Sequence, residues 1–163
     1  MITGLLTGNV LPAFDLAGSD GRRHQRRDWY NRANMALFVL HGATCRACRE
    51  LLVGLSDAAA ALEEWETAIV PVIADSEAAV TALARELDLP FALLADPEGA
   101  LRRRLLNPGE RVALLLADRY GGVLERDAGD EAALPSGAAL VEAARFVAIQ
   151  CPECTDWVPW GEA

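Results

Sequence analysis

The apolar residues of this chain fall into two kinds of pattern. Three runs are nearly continuous: MALFVLH (35–41), AIVPVIA (68–74) and RVALLLAD (111–118). Unbroken apolar runs of this length suit strands covered on both faces. Elsewhere the spacing is helical. Leu51, Leu52, Leu55, Ala59, Leu62 and Trp65 recur on one face and predict a helix over 46–66. Asp75 and Ser76 offer N-caps to a second helix, EAAVTALARELD, which stops before Pro90.

Shorter signals fill the gaps. FALLAD (91–96) predicts a short strand, and PEGALRRRLL a short helix with Pro97 at its start. RYGG turns 111–118 back into VLERDA (123–128) as a hairpin, with Gly121 and Gly122 available for positive φ. Behind Pro135, residues 136–150 read as an amphipathic helix. At the front, PAFDLAGSDGRRHQ breaks at Ser19-Asp20-Gly21 into a further hairpin. The order is hairpin, β-α-β-α, a short strand and helix, then β-β-α. That predicts an α/β fold, a central mixed sheet flanked by helices, with an N-terminal β-hairpin. Neither repeat nor linker divides the chain, so residues 1–163 are expected to form one domain, with 151–163 as a C-terminal tail.

Composition narrows the function. Hydrophobic residues make up 52% and charged ones 24%, which argues against disorder. A net charge of −9 disfavours nucleic acid or an anionic membrane as partner. All 15 basic residues are Arg, so lysine Schiff-base chemistry and a P-loop lysine are excluded. MITGLLTGNV carries no positive charge ahead of its apolar residues, and no apolar run approaches the roughly 18 residues of a membrane span. A cytoplasmic protein is expected.

In a reducing compartment, close-spaced cysteines are catalytic or metal-binding more often than structural. The four cysteines here form two pairs, CRAC (Cys45, Cys48) and CPEC (Cys151, Cys154). The first pair falls where a strand turns into a helix. Free N–H groups and the helix dipole favour a thiolate there, and the flanking Arg46 and Arg49 are expected to push the same way. Cysteines three apart share one helical face, close enough for a disulfide. Two competing readings remain. Two core cysteines by chance is the bland one. Zinc held by both CxxC pairs is the other, but the chain between them is far longer than in a compact zinc module. A redox couple fits better, and neither metal nor cofactor is expected.

The motifs carry a resemblance. The sequence resembles the thioredoxin-fold redoxins, most closely the peroxiredoxins of the alkyl hydroperoxide reductase/thiol-specific antioxidant family, from LPAFDLAGSDGRR to CPECTDW. On that family's PxxxTxxC motif, HGATCRAC places Cys48 at the peroxidatic position, His41 at the Pro and Cys45 at the Thr. RVALLLADRYGGVLER resembles the family's Arg-led strand and Asp-x-x-Gly hairpin, which places Arg111 at the active-site arginine. CPECTDW resembles the segment that holds the resolving cysteine of two-Cys members, which places Cys151 there. A Cys at the Thr position is the thioredoxin arrangement, with Thr44 where thioredoxin has an aromatic.

The resemblance implies an oxidoreductase acting through Cys48, Cys45, Arg111 and Cys151. In the preferred scheme the Cys48 thiolate, held by Arg111, reduces a hydroperoxide; Cys45 or Cys151 condenses with the sulfenic acid, and an external dithiol such as a thioredoxin-type protein reduces the disulfide. The alternative is a thiol-disulfide oxidoreductase acting on protein disulfides, with Cys45 as nucleophile and Cys48 resolving. A third is a non-catalytic module that uses the redoxin body for binding, its cysteines structural or holding zinc. Tethered to one helical turn, Cys45 and Cys48 are expected to form the first disulfide, with Cys151–Cys154 a secondary redox pair. His41 could serve as a base, but at the end of an apolar strand it reads first as a satisfied polar residue. The LRRRLL arginines read as a solvated helix face. Trp157 and Trp160 read as packing over the site, over a partner subunit of a homodimer, or on the chain's own body.

Overall fold

In a computed structural model of the chain, the structure describes residues 6–150. Seven strands form one mixed sheet: β1 (Asp15–Gly18), β2 (Arg23–Gln25), β3 (Asn34–Leu40), β4 (Thr67–Ile73), β5 (Leu94–Ala95), β6 (Val112–Ala117) and β7 (Val123–Gly129). Their spatial order is β2-β1-β5-β4-β3-β6-β7. Four helices flank them: α1 (Arg46–Glu64), α2 (Glu77–Leu87), α3 (Ala100–Leu105) and α4 (Gly137–Ile149). Among the described residues no helix is long and apolar enough to cross a membrane.

The continuous apolar runs occupy the middle of the sheet. All seven residues of β3 are buried; it pairs in parallel with β4 and antiparallel with β6. Its side chains alternate between two cores. Ala36, Phe38 and Leu40 pack with residues of α1, α2 and α4, while Met35, Leu37 and Val39 pack with Leu11 and the α3 leucines. Pro71 lies within β4, where the missing N–H would interrupt a ladder on both sides. Pairing with β5 covers only Val72 and Ile73, so β4 has a single neighbour at Pro71.

The N-terminal hairpin forms as expected and joins the sheet through β5. Gly121 takes a positive φ of 86° in the β6–β7 turn. One boundary differs. Pro97 does not open α3, which begins at Ala100 behind Gly99; the Asp96 carboxylate supplies the cap by accepting from the Arg102 N–H at 2.9 Å. Two short 3-10 turns, Arg26–Asp28 and Glu131–Ala133, had no apolar pattern to announce them.

The turn ahead of β6 carries Arg111 and is bonded from several sides. Arg126 of β7, with its side chain 11% exposed, donates to Glu110 at 3.0 Å and to the Leu105 carbonyl at 3.1 Å. Glu110 also accepts from the Asn107 N–H at 2.7 Å, and the Arg102 guanidinium donates to the Arg111 carbonyl. These bonds hold the turn in one conformation. Hydrogen bonds from Arg126 keep the Glu110 carboxyl below its ordinary value of 4.5. A depressed carboxyl contributes stability that is present above its unfolded value and lost as pH falls through the folded one. Glu110→Gln should therefore cost about 1–3 kcal/mol at neutral pH. It should also flatten the loss of stability below about pH 4.5, as read by urea denaturation across pH.

Candidate active site

The site forms where β3 ends and α1 begins. His41 follows the last residue of β3, and the loop to α1 is pinned by Asp75, which accepts from the Ala43 N–H at 3.1 Å. Cys45 is the N-cap of α1: its backbone is extended (φ −68°, ψ 117°), and its sulfur accepts the Cys48 N–H at 3.3 Å. A sulfur thus takes the capping role usually filled by a Ser or Asp oxygen. Cys48, one turn along, points the other way. It is 0% exposed and joins the core cluster containing Phe38, Leu40 and Leu52.

This geometry runs against the expectation of a thiolate at Cys48. Burial pushes the Cys48 thiol up to about 12, helped by the neighbouring Cys45 and Glu131 and opposed by a hydrogen bond from His41. That shift favours the thiol form of Cys48. At the helix terminus it is the Cys45 sulfur that bonds a free N–H, that of Cys48, and Arg46 and Arg49 both turn to other partners. Arg46 turns outward to Glu50 at 2.9 Å, while Arg49 pairs with Glu86 across to α2.

His41 is not a bystander. Its Nδ1 lies 3.4 Å from the Cys48 sulfur, and its Nε2 lies 2.8 Å from Nη2 of Arg111. A guanidinium has no lone pair to offer, so Nε2 accepts and the imidazole proton sits on Nδ1, facing the sulfur. Burial and the charges of Arg102 and Arg111 lower the His41 pKa, which keeps the ring neutral. Arg111 thus reaches the cysteines through His41, and its hydrogen bond goes there rather than to Cys48.

Two residues of the site carried no sequence signal. Glu131, on the second 3-10 turn, accepts from the Cys45 thiol at 3.5 Å and lies 3.5 Å from Arg111 and 3.6 Å from His41 Nδ1. Its pKa is lowered, chiefly by its own backbone N–H and further by Cys45 and Arg111, so it is a carboxylate. Arg102 of α3 is half-buried rather than solvated like Arg103 and Arg104. Burial lowers its pKa while the Cys48 sulfur raises it, and its Nη1 is buried without a hydrogen-bond partner among the described residues. Thr44 is exposed, in a shallow surface depression with Arg46, Val53 and Leu87. Cys151, Cys154, Trp157 and Trp160 lie outside the described residues. The donor atoms of His41, Cys45, Cys48 and Glu131 all fall within 4.8 Å of one another, near enough to share a metal ion.

Residues 7–124 match the model of the AhpC/TSA family. The chain belongs to that family. Solved structures similar to this AhpC/TSA chain include peroxiredoxin Q from Xanthomonas campestris, at 16% identity and a TM-score of 0.74 over 87% of this chain and 99% of that one. Peroxidoxin BcpB from Mycobacterium tuberculosis matches at 17% and 0.73, covering 93% and 99%. A Chlorobium tepidum chain described as a candidate thiol:disulfide interchange protein DsbE matches at 22% and 0.73, covering 90% and 100%. At these identities the likeness shows the fold, which is thioredoxin-like as the motifs implied. No curated protein matches the chain. Glu131 lies beyond the stretch matched by the family model.

The two sulfurs should differ in accessibility. Brief alkylation of the reduced protein with iodoacetamide at neutral pH, followed by peptide mass mapping, should label Cys45 and leave Cys48 protected. Labelling of Cys48 ahead of Cys45 would contradict the burial of Cys48 in the core.

Proposed function

We propose that the chain is a dithiol–disulfide redox enzyme whose working couple is Cys45–Cys48, with Cys45 as the attacking sulfur. The observation that carries this reading is the division of labour across one helical turn. The Cys45 sulfur sits half-buried at the helix start against a carboxylate, while Cys48 is buried as a thiol.

Reduction of a substrate disulfide proceeds in two steps. Glu131 accepts the Cys45 proton, and the thiolate attacks one substrate sulfur; the substrate S–S bond breaks, and the departing thiolate takes up a proton. Cys48 then attacks the Cys45 sulfur of the mixed disulfide, aided by the Nδ1–H of His41, which supports the charge developing on the buried sulfur. Its proton leaves with the second substrate thiol. Two electrons and two protons have passed to the substrate, and Cys45–Cys48 is a disulfide for an external dithiol to reduce. This assignment reverses the preferred sequence expectation, in which Cys48 attacks. A reducing compartment suits such a couple.

Membership of the AhpC/TSA family supports a second reading, in which a hydroperoxide is the oxidant. One cysteine becomes a sulfenic acid with release of an alcohol, and the other condenses with it, releasing water. Both readings end in the same bridge. Insulin reduction and hydroperoxide consumption, measured in parallel, separate them.

Cys45→Ser should abolish insulin reduction, and Glu131→Gln should slow it by about 10²-fold with the substrate KM little changed. Full activity in Cys45→Ser would sink the assignment. Hydroperoxide consumption without any insulin reduction would select the second reading.

A further inference from the structure

His41, Cys45, Cys48 and Glu131 come from three separate segments: the end of β3, the first turn of α1 and the 3-10 turn before α4. Their donor atoms nevertheless converge. Three separations are 3.4 Å (His41 Nδ1 to Cys48 Sγ), 3.5 Å (Cys45 Sγ to Glu131 Oε1) and 3.6 Å (His41 Nδ1 to Glu131 Oε1). A tetrahedral zinc ion, with Zn–S near 2.3 Å and Zn–N or Zn–O near 2.0–2.1 Å, requires donor–donor edges of roughly 3.3–3.8 Å. The remaining edges lie within 4.8 Å. We propose that the reduced protein binds one thiophilic divalent cation, Zn2+, through His41, Cys45, Cys48 and Glu131.

The donor chemistry selects the ion. Two sulfurs and an imidazole suit Zn2+, whereas Ca2+ and Mg2+ require oxygen shells that one carboxylate cannot supply. Binding displaces both thiol protons to solvent, because the sulfurs ligate as thiolates. It also moves the imidazole proton from Nδ1 to Nε2, so that Nδ1 can ligate. Arg111 must then leave Nε2, and its side chain, 57% exposed and 3.5 Å from Glu131, is free to do so. Two thiolates and a carboxylate around Zn2+ leave one net negative charge, which Arg111 and Arg102 face. A Cys45–Cys48 disulfide offers no thiolate, so the ion and the oxidised couple exclude each other. The metal form is a protected, redox-silent state of the pair. This set of donors differs from a pairing of CxxC with CxxC, and it needs no residue of the tail.

The inference rests on the same cysteine pair as the redox reading, but a separate measurement decides it. Full-length C151S/C154S, which removes the second cysteine pair as a competing ligand, is reduced and titrated with Zn2+ by calorimetry. A parallel titration with Co2+ is read by thiolate-to-cobalt charge-transfer absorption. The expected result is one equivalent of metal, no uptake after Cys45→Ser or after oxidation by a small disulfide, and affinity at least ~10-fold lower in Glu131→Gln and in His41→Ala. Circular dichroism of each variant confirms folding, and the near-isosteric Glu131→Gln keeps the test decisive if another variant misfolds. No uptake by the reduced protein, or uptake that survives Cys45→Ser, or unchanged affinity in both Glu131→Gln and His41→Ala, would overturn the four-donor site. Insulin reduction by the same samples separates the two readings. Activity without metal binding defeats only this inference, and metal binding without activity defeats only the redox reading.

Discussion

The structure of the site depends on one hydrogen bond, from the Cys48 N–H to the Cys45 sulfur at the start of α1. A helix leaves its first N–H groups without partners, and here a sulfur satisfies one of them. That bond makes Cys45 the N-cap and Cys48 the third residue of the helix. The cap residue is extended and lies at the rim, whereas the third residue's side chain turns toward the sheet. Two cysteines separated by one turn therefore acquire opposite environments, one at a carboxylate and one in an apolar core.

Everything else in the site arranges charge around that asymmetry. Glu131 meets Cys45, His41 meets Cys48, and Arg111 touches both of these partners. Arg111 can do so because its turn is held from behind by Glu110, Arg126 and Arg102. The guanidinium fixes the imidazole tautomer, which makes the ring a donor toward the buried sulfur. The arginine that resembles the family's active-site residue thus hydrogen-bonds a histidine, the residue that the same resemblance sets against the motif's proline.

The frame of the fold was legible because the central strands are unbroken apolar runs and α1 has a regular apolar face. The cysteine pair was legible from its spacing. The environment of each sulfur was not, since placing a residue in the first turn does not say whether it is the cap or the third residue. Arg102 is one of three consecutive arginines, and only the phase of α3 against the sheet turns that one inward. Glu131 is 86 residues from Cys45 in sequence and sits on a turn with no periodic pattern, so only the folded chain brings them together. His41 read as a strand-end polar residue because its partners, Arg111 and Glu131, are also remote in sequence, Arg111 by 70 residues.

Mapping the disulfides of the protein by mass spectrometry after a single turnover is the most direct test of Cys45 and Cys48 as one redox couple across the first turn of α1. An intrachain Cys45–Cys48 bridge in a monomeric species is the expected result. A bridge from Cys48 to Cys151, within one chain or between two, would contradict it and make Cys45 a bystander.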